Sequence, residues 1–321
     1  MKARGCKVCG LFGFSDYSGQ STKGLSELTN SLAEQSAVRG IDATGIAFCR
    51  LGGINIQKEA KSAYALDFKH PDDIPALIGH TRHSTQGDEK KNFNNHPFYG
   101  KAKGVRFALA HNGVLLNDED LRKSLNLPKT KIETDSFIAV QLIESRKALN
   151  IDSIKYMAEQ VRGSFSFSIL DDRNNVYLVK GDSPLSILHF PKQKLYVYAS
   201  TEPILYKALV DTKLFEALKI GDYEEIPIEE GDILKIRPDG KLERHHFHYS
   251  YYKSKGWWEY DGFSYGLSYG QSTGDTRDDY INALKSVAAY QGVSVGVVDA
   301  LLDEGFSPEE IEEYIYEFAY G

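Results

Sequence analysis

Between Cys9 and about His245, short strand-forming runs outnumber helical stretches, and the two do not alternate regularly. Ser164-Phe165-Ser166-Phe167-Ser168-Ile169 alternates small polar with apolar side chains, the pattern of a half-buried strand. Residues 45–51, 106–110, 176–179, 185–190 and 195–199 form similar short runs. Residues 232–236, the turn Pro238-Asp239-Gly240 and residues 241–243 read as strand, turn, strand. Helical spacing appears in residues 25–38, 135–149 and 151–161. Many strands against few helices predict a mainly antiparallel, layered α+β domain.

The composition after His245 is different. Residues 249–270 are a tract of Tyr, Trp, Gly, Ser and Lys that carries both tryptophans, Trp257 and Trp258. No period of a strand or helix runs through it, so it reads as a linker packing its rings along the domain surface. Helical spacing returns at Tyr280-Ile281, Leu284 and Val287-Ala288. Val295, Val298 and Leu301-Leu302 mark a second short helix, which Gly305-Phe306 stops. Ser307-Pro308-Glu309-Glu310 is a capping box, followed by the stripe Ile311, Ile315 and Phe318. This three-helix tail ends in a segment that resembles the helix-turn-helix of ubiquitin-associated modules.

With 321 residues, 41% of them hydrophobic, the chain can bury one large core or two smaller ones. It has no apolar run long enough to span a membrane and no secretion signal at its start. Three cysteines do not make a disulfide framework, which points to a reducing cytoplasm. A formal charge of −7 gives no electrostatic footprint for nucleic acid.

Candidate chemistry begins at Cys9, at the head of the apolar run Gly10-Leu11-Phe12-Gly13-Phe14 and behind a short leader. Taken alone, a buried structural cysteine is the commoner explanation. A cysteine that became the chain's own N-terminus would carry an α-amino group titrating near ~8, able to act as base for its own thiol. Arg82, inside Gly79-His80-Thr81-Arg82-His83-Ser84-Thr85, offers a planar fork suited to a carboxylate, although a lone arginine is more often a surface ion pair. Asn112-Gly113 could be an ordinary hairpin turn, or could aim an amide and a backbone N–H at one spot as an oxyanion hole does. Asp135 could be a dipole-stabilised charge at a helix start, and the turn from Arg39 to Gly45 could be structural only.

Six segments in this order change that weighting: Cys9-Gly10-Leu11-Phe12-Gly13, Arg39-Gly40-Ile41-Asp42-Ala43-Thr44-Gly45, the Gly79 to Thr85 segment, Asn95-His96-Pro97-Phe98, His111-Asn112-Gly113 and Thr134-Asp135-Ser136. Together they closely resemble the class II glutamine amidotransferases, which are N-terminal-nucleophile hydrolases. Glutamine–fructose-6-phosphate transaminase and amidophosphoribosyltransferase carry this domain. Gly181-Asp182-Ser183-Pro184-Leu185 and Ala199-Ser200-Thr201-Glu202 continue the likeness.

The resemblance implies a four-layer αββα sandwich over residues 9–245, with a propeptide-like leader at 1–8, an aromatic linker at 246–274 and a helical tail at 275–321. It implies that Cys9 attacks the side-chain amide carbon of L-glutamine, forms a γ-glutamyl thioester and releases ammonia. The α-amino group, freed by cleavage after Val8, would shuttle the proton. Asn112 and the Gly113 N–H would stabilise the oxyanion, Arg82 would hold the α-carboxylate and Asp135 the α-ammonium. Arg39 and Gly40 would wall the pocket, and Thr85 and His80 are further substrate-binding candidates. No cofactor and no metal are implied. Two positions depart from the family: His83 stands where an aromatic is frequent, and Gln86 where a histidine is frequent.

Three functions fit these residues. The first is a stand-alone glutaminase that hands ammonia to a separate synthetase, because about 75 residues follow His245 and nothing matches a GxxxxGK[ST] phosphate loop. The second is a γ-glutamyl or related amidohydrolase of the same superfamily. The third is an unprocessed, non-catalytic binding protein. Cys6-Lys7-Val8-Cys9 as a redox or metal CxxC and His245-His246-x-His248 as a metal site are weaker readings, the histidines being expected in solvent. Cys49 is expected in the core.

Overall fold

The computed structural model describes residues 9–20, 22–210, 212, 223–249, 281, 285, 288, 294–304, 306, 310, 311 and 314. The leader, most of the aromatic tract, Gly305 and the capping box at 307–309 lie outside the described residues. The chain divides into two compact units, Cys6–Lys253 and a second that holds the described C-terminal residues.

The larger unit contains two antiparallel sheets. One has the order β11 (Glu224–Glu225), β9 (Ser186–Phe190), β10 (Leu195–Ala199), β1 (Gly10–Asp16), β4 (Ala76–Arg82), β2 (Ala43–Arg50), β3 (Gly53–Glu59). The other runs β13 (Leu242–His246), β12 (Asp232–Ile236), β8 (Val176–Lys180), β7 (Gly163–Asp171), β6 (Val105–Leu115), β5 (Phe98–Ala102). Helices α1 (Leu25–Ser36) and α5 (Glu202–Val210) share a core with the first sheet, and α2 (Asp118–Ser124), α3 (Phe137–Ser145) and α4 (Ile151–Gln160) share one with the second. A third core lies between the sheets. The architecture is a four-layer αββα sandwich.

Burial on both faces dictates the strand sequences. Successive side chains point to opposite faces, so each central strand must be apolar at odd and even positions alike. In β1, Phe12 and Phe14 meet the helices while Leu11 meets the other sheet; in β4, Leu77 meets the helices while Ala76 and Ile78 face the other sheet. In β6, Phe107 and Leu109 enter the helical core while Ala108 and Ala110 enter the inter-sheet core.

Several expectations are corrected by this burial. The Ser-Phe-Ser-Phe run is not half-buried: Ser166 and Ser168 are fully buried in β7, opposite Asn112 and Ala110 of β6. Asn112-Gly113 makes no turn but lies inside β6, which continues to Leu115. The helix expected over 135–149 is shorter, spanning Phe137–Ser145, and Asp135 precedes it. Strands β3 and β5 and helices α2 and α5 carried no distinct periodic signal. Edge strand β3 is only partly buried, and α5 is a short helix whose Ile204, Leu205, Ala208 and Leu209 complete the core over the first sheet.

Phe247 is buried beyond β13, and Tyr249 stacks edge-on against Phe165 and Phe247. In the second unit, helix α6 (Val295–Asp303) falls where the sequence places it. Ala288, Val298 and Ile311, one from each expected helix, are buried together. Among the described residues no helix is long and apolar enough to cross a membrane.

Ile78 is fully buried in the inter-sheet layer. Ile78→Ala should destabilise the larger unit by about 2–5 kcal/mol, read from urea unfolding.

Candidate active site

Strand parity places the functional side chains in one layer. Carrying the β1 alternation back one residue puts Cys9 on the same side as Leu11, toward the other sheet. Arg82 and His80 share the parity of Ile78, and Asn112 that of Ala108 and Ala110. The register Gly10↔Thr81 brings the start of β1 beside the end of β4. The inter-sheet layer is thus apolar along most of its length and polar where these ends meet.

Cys9 is buried, and its sulfur is bracketed by one residue. The His83 N–H donates to Sγ at 3.4 Å, and the thiol approaches the His83 carbonyl at 3.5 Å. Burial pushes the Cys9 thiol up to about 11, against the pull of the His83 N–H and of the Arg82 charge. The main chain of Cys9 is fixed as well, because Arg39 Nε donates to its carbonyl at 2.9 Å. Gly40 lies against the β4 end, where a Cβ would stand 2.3 Å from the Arg82 carbonyl carbon.

Arg82 is almost fully buried, and its guanidinium is held from one side. One terminal nitrogen donates to Asn95 Oδ1 at 2.6 Å, and the other to the carbonyls of Gln86 at 2.6 Å and Gly87 at 3.0 Å. A guanidinium has five N–H donors, so these bonds fix its plane without exhausting it. Asn95 is itself fully buried and anchored through the carbonyls and side chain of its own loop, donating to Glu89 O and Asn92 Oδ1. Lys58 Nζ clamps that loop by donating to Asn95 O at 2.6 Å and Pro97 O at 3.0 Å, and burial holds its pKa down to about 8.

Asn112 is buried in β6 with its side chain under-used. Nδ2 lies 3.5 Å from Ser200 Oγ, and Oδ1 has no hydrogen-bond partner among the described residues. Ser200 also accepts from the Leu11 N–H at 2.7 Å and donates its own N–H to Leu11 O at 2.8 Å, tying Asn112 to the strand that follows Cys9. Gly113 has φ +133°, and a Cβ there would lie 2.1 Å from Ser164 O, so only glycine fits.

Asp135 is buried at the entry to α3. Its Oδ2 accepts from the Leu115 N–H at 2.6 Å, and its Oδ1 lies 3.1 Å from Ser136 Oγ. Thr85 is exposed on the loop after β4. His80 points into the protein, donating Nε2–H to His111 O at 2.9 Å across the two sheets. Its ring lies tilted against that of His96, 4.1 Å between ring centroids. Asn95, Ser200 and Asp42 have no individual role in the sequence reading, although all three stand inside segments that carry the resemblance. Their roles depend on partners far along the chain.

Other expectations resolve simply. Cys49 is buried in β2. His246 pairs with Asp232 and His245 approaches Glu243. Among the described residues no cluster of three or more His, Cys, Asp or Glu could hold a metal. Cys6 lies outside the described residues, so the CxxC reading has no geometry to meet.

Residues 80–207, which contain Arg82, Asn112, Asp135 and Ser200, match the family of glutamine amidotransferase domains. The chain carries a class II glutamine amidotransferase domain. The amidotransferase domain is 32% identical over 248 residues to glutamine–fructose-6-phosphate aminotransferase (isomerizing) of Staphylococcus aureus Mu50, covering 73% of this chain and 38% of that protein. The corresponding enzyme of Halalkalibacterium halodurans is 30% identical over 188 residues, covering 56% and 30%. The chain therefore spans well under half the length of these relatives. Two solved structures share the fold: glutamine phosphoribosylpyrophosphate amidotransferase from B. subtilis, with a TM-score of 0.59, and the allosteric regulatory enzyme of purine biosynthesis, with 0.58. Each is 21% identical and covers 75% of this chain and 50% of its own.

The amidotransferase domain rests on three buried histidines. Burial holds His80 at about 3, His96 well below the usual range, and His111 below it too. His80 Nδ1 and both ring nitrogens of His96 have no hydrogen-bond partner among the described residues. Neutral in the fold, these rings bind protons more readily once unfolded, so stability is full above the unfolded value of about 6.5 and falls as pH drops below it. The urea midpoint should fall between pH 7 and pH 5, and His96→Phe should flatten that slope.

Proposed function

We propose that this domain hydrolyses the side-chain amide of L-glutamine through a γ-glutamyl thioester on Cys9 and passes the ammonia to a separate acceptor or synthetase. The observation that carries the reading is the convergence of Cys9, Arg82 and Asn112 in the polar end of the inter-sheet layer, with Asn112 buried and its amide only partly engaged.

In this reading, Arg82 takes the α-carboxylate with the donors that Asn95 and the loop carbonyls leave available. Asp135 retains acceptor capacity beyond its two bonds and takes the α-ammonium. Two opposite charges on either side of the nucleophile select a free amino acid over a peptide-bound glutamine. Cys9 attacks the amide carbon, and the Asn112 side chain with the Gly113 N–H meets the oxyanion, each donor lowering the barrier by about 3 kcal/mol. Cleavage after Val8 frees the α-amino group as proton shuttle, and water then releases glutamate.

The names of the matched relatives support amide transfer from glutamine as the class of reaction. A stand-alone role, with ammonia handed to another protein, takes the C-terminal unit, read from the sequence as three helices, as the docking element. That unit keeps the resemblance to ubiquitin-associated modules as its reading.

Glutamate release from L-glutamine, measured with intact mass, tests the proposal. Glutaminase activity should accompany loss of residues 1–8, and Cys9→Ala should abolish it without lowering the melting temperature. Cys49→Ala should leave turnover unchanged. A full-length chain that releases no glutamate contradicts the proposal, as does faster hydrolysis of a γ-glutamyl dipeptide. Asn95→Ala should raise KM for glutamine by about 10-fold or more while changing kcat less, because it unfastens the carboxylate clamp rather than the nucleophile.

A further inference from the structure

The hydroxyl proton of Ser136 lies between two neighbours able to take it. His111 Nδ1 is 2.8 Å from Ser136 Oγ, and Asp135 Oδ1 is 3.1 Å from it. Both cannot be served at once, because a serine hydroxyl has a single proton to donate. All three side chains are buried.

The other end of the histidine decides between them. His111 projects from β6 and stacks on Phe167, with 4.7 Å between ring centroids. Its Nε2 stands 3.3 Å from the main-chain carbonyl of Ser164. A carbonyl oxygen can only accept, so this nitrogen bears a proton. Burial holds the ring below the ordinary histidine range, against the pull of Asp135 and of the Ser164 carbonyl, so at neutral pH it carries one proton and no more. Nδ1 is therefore a lone pair, and the donor it meets is the Ser136 hydroxyl. Asp135 Oδ1 is left without that proton, while Oδ2 accepts from the Leu115 N–H at 2.6 Å. Asp135 is one of the charges that act on the Cys9 sulfur, so this carboxylate belongs to the site.

We propose that His111 is a positioning residue for the α-ammonium of the substrate: its Nε2–H tautomer draws the Ser136 proton away from Asp135 and keeps Oδ1 open to a cation. The proposal rests on the glutamine reading for the identity of that cation, but not for the proton arrangement. A hydroxyl donated to Oδ1 would meet part of its charge and compete with an incoming ammonium. The Ser164 carbonyl that sets the tautomer is also the atom a Cβ on Gly113 would strike at 2.1 Å. One ring thus touches both the carbonyl packed against Gly113 and the serine beside Asp135.

The test compares ammonia release from L-glutamine and from glutaramate, the same side-chain amide without the α-amino group. The ratio of their kcat/KM values reads the ammonium contact alone. His111→Phe frees the Ser136 proton to bond Asp135 and should cut the preference for glutamine by about 5-fold, the size of one neutral hydrogen bond. Adding Ser136→Ala should bring the preference back to that of Ser136→Ala alone. Equal loss on both substrates in His111→Phe, or a lost preference that Ser136→Ala does not restore, overturns the proposal. Nitrogen NMR of the wild-type protein with isotope-labelled histidine should show His111 protonated at Nε2 and unprotonated at Nδ1, with Nδ1 shifting in Ser136→Ala. A protonated Nδ1 at neutral pH overturns the proposal even where His111→Phe does not fold. A wild type with the expected tautomer that releases no ammonia from glutamine upholds the proton arrangement and sinks the glutamine reading alone.

Discussion

Two sheets packed face to face, each also covered by helices, leave no central strand a free face, and the site depends on that constraint. Parity along each strand decides whether a side chain joins a helical core or the layer between the sheets. Cys9, just ahead of β1, and Arg82 and Asn112, in strands of the two sheets, meet because each has inter-sheet parity at the same end. A slip of one residue in β1 or β6 would send these groups to the helical side. The apolar packing of Leu11, Ile78, Ala108, Ala110 and Leu170 therefore sets the geometry of the chemistry as much as it stabilises the fold.

Each candidate group is in turn held by its own partners, several of them distant in sequence. Asn95 and two loop carbonyls orient Arg82, and Lys58 holds the Asn95 loop. Ser200 links Asn112 to the strand behind Cys9. Arg39 grips the Cys9 carbonyl. Such supporting contacts restrict where each candidate side chain can point. His80 Nδ1 and both His96 ring nitrogens, without a hydrogen-bond partner among the described residues, lie beneath this arrangement, an uncompensated burial that makes the region sensitive to acid.

Much of this was legible in the chain. The layered α+β class followed from strand runs without regular alternation, and 195–199 and 232–236 were placed to the residue. The order of six segments named the family before any geometry. What stayed hidden was long-range. A Ser-Phe alternation looks half-buried until a second sheet covers the serine face, as happens at Ser166 and Ser168. Asn112-Gly113 has the composition of a turn, yet pairing with Ser166 and Phe165 keeps it extended. His80, expected against the substrate, instead spans the sheets to His111 O, because the same parity that aims Arg82 at the site aims His80 one step deeper.

The proposal at the centre of this account is that Cys9 is the nucleophile of a glutamine-binding site. Treating the full chain with an electrophilic glutamine analogue that retains the α-ammonium and α-carboxylate, then mapping adducts by peptide mass spectrometry, tests it most directly. The account predicts a single adduct on Cys9, suppressed by L-glutamine and lost when Arg82 is replaced by alanine. An adduct on Cys49, no adduct at all, or labelling of Cys9 that L-glutamine does not suppress would contradict it.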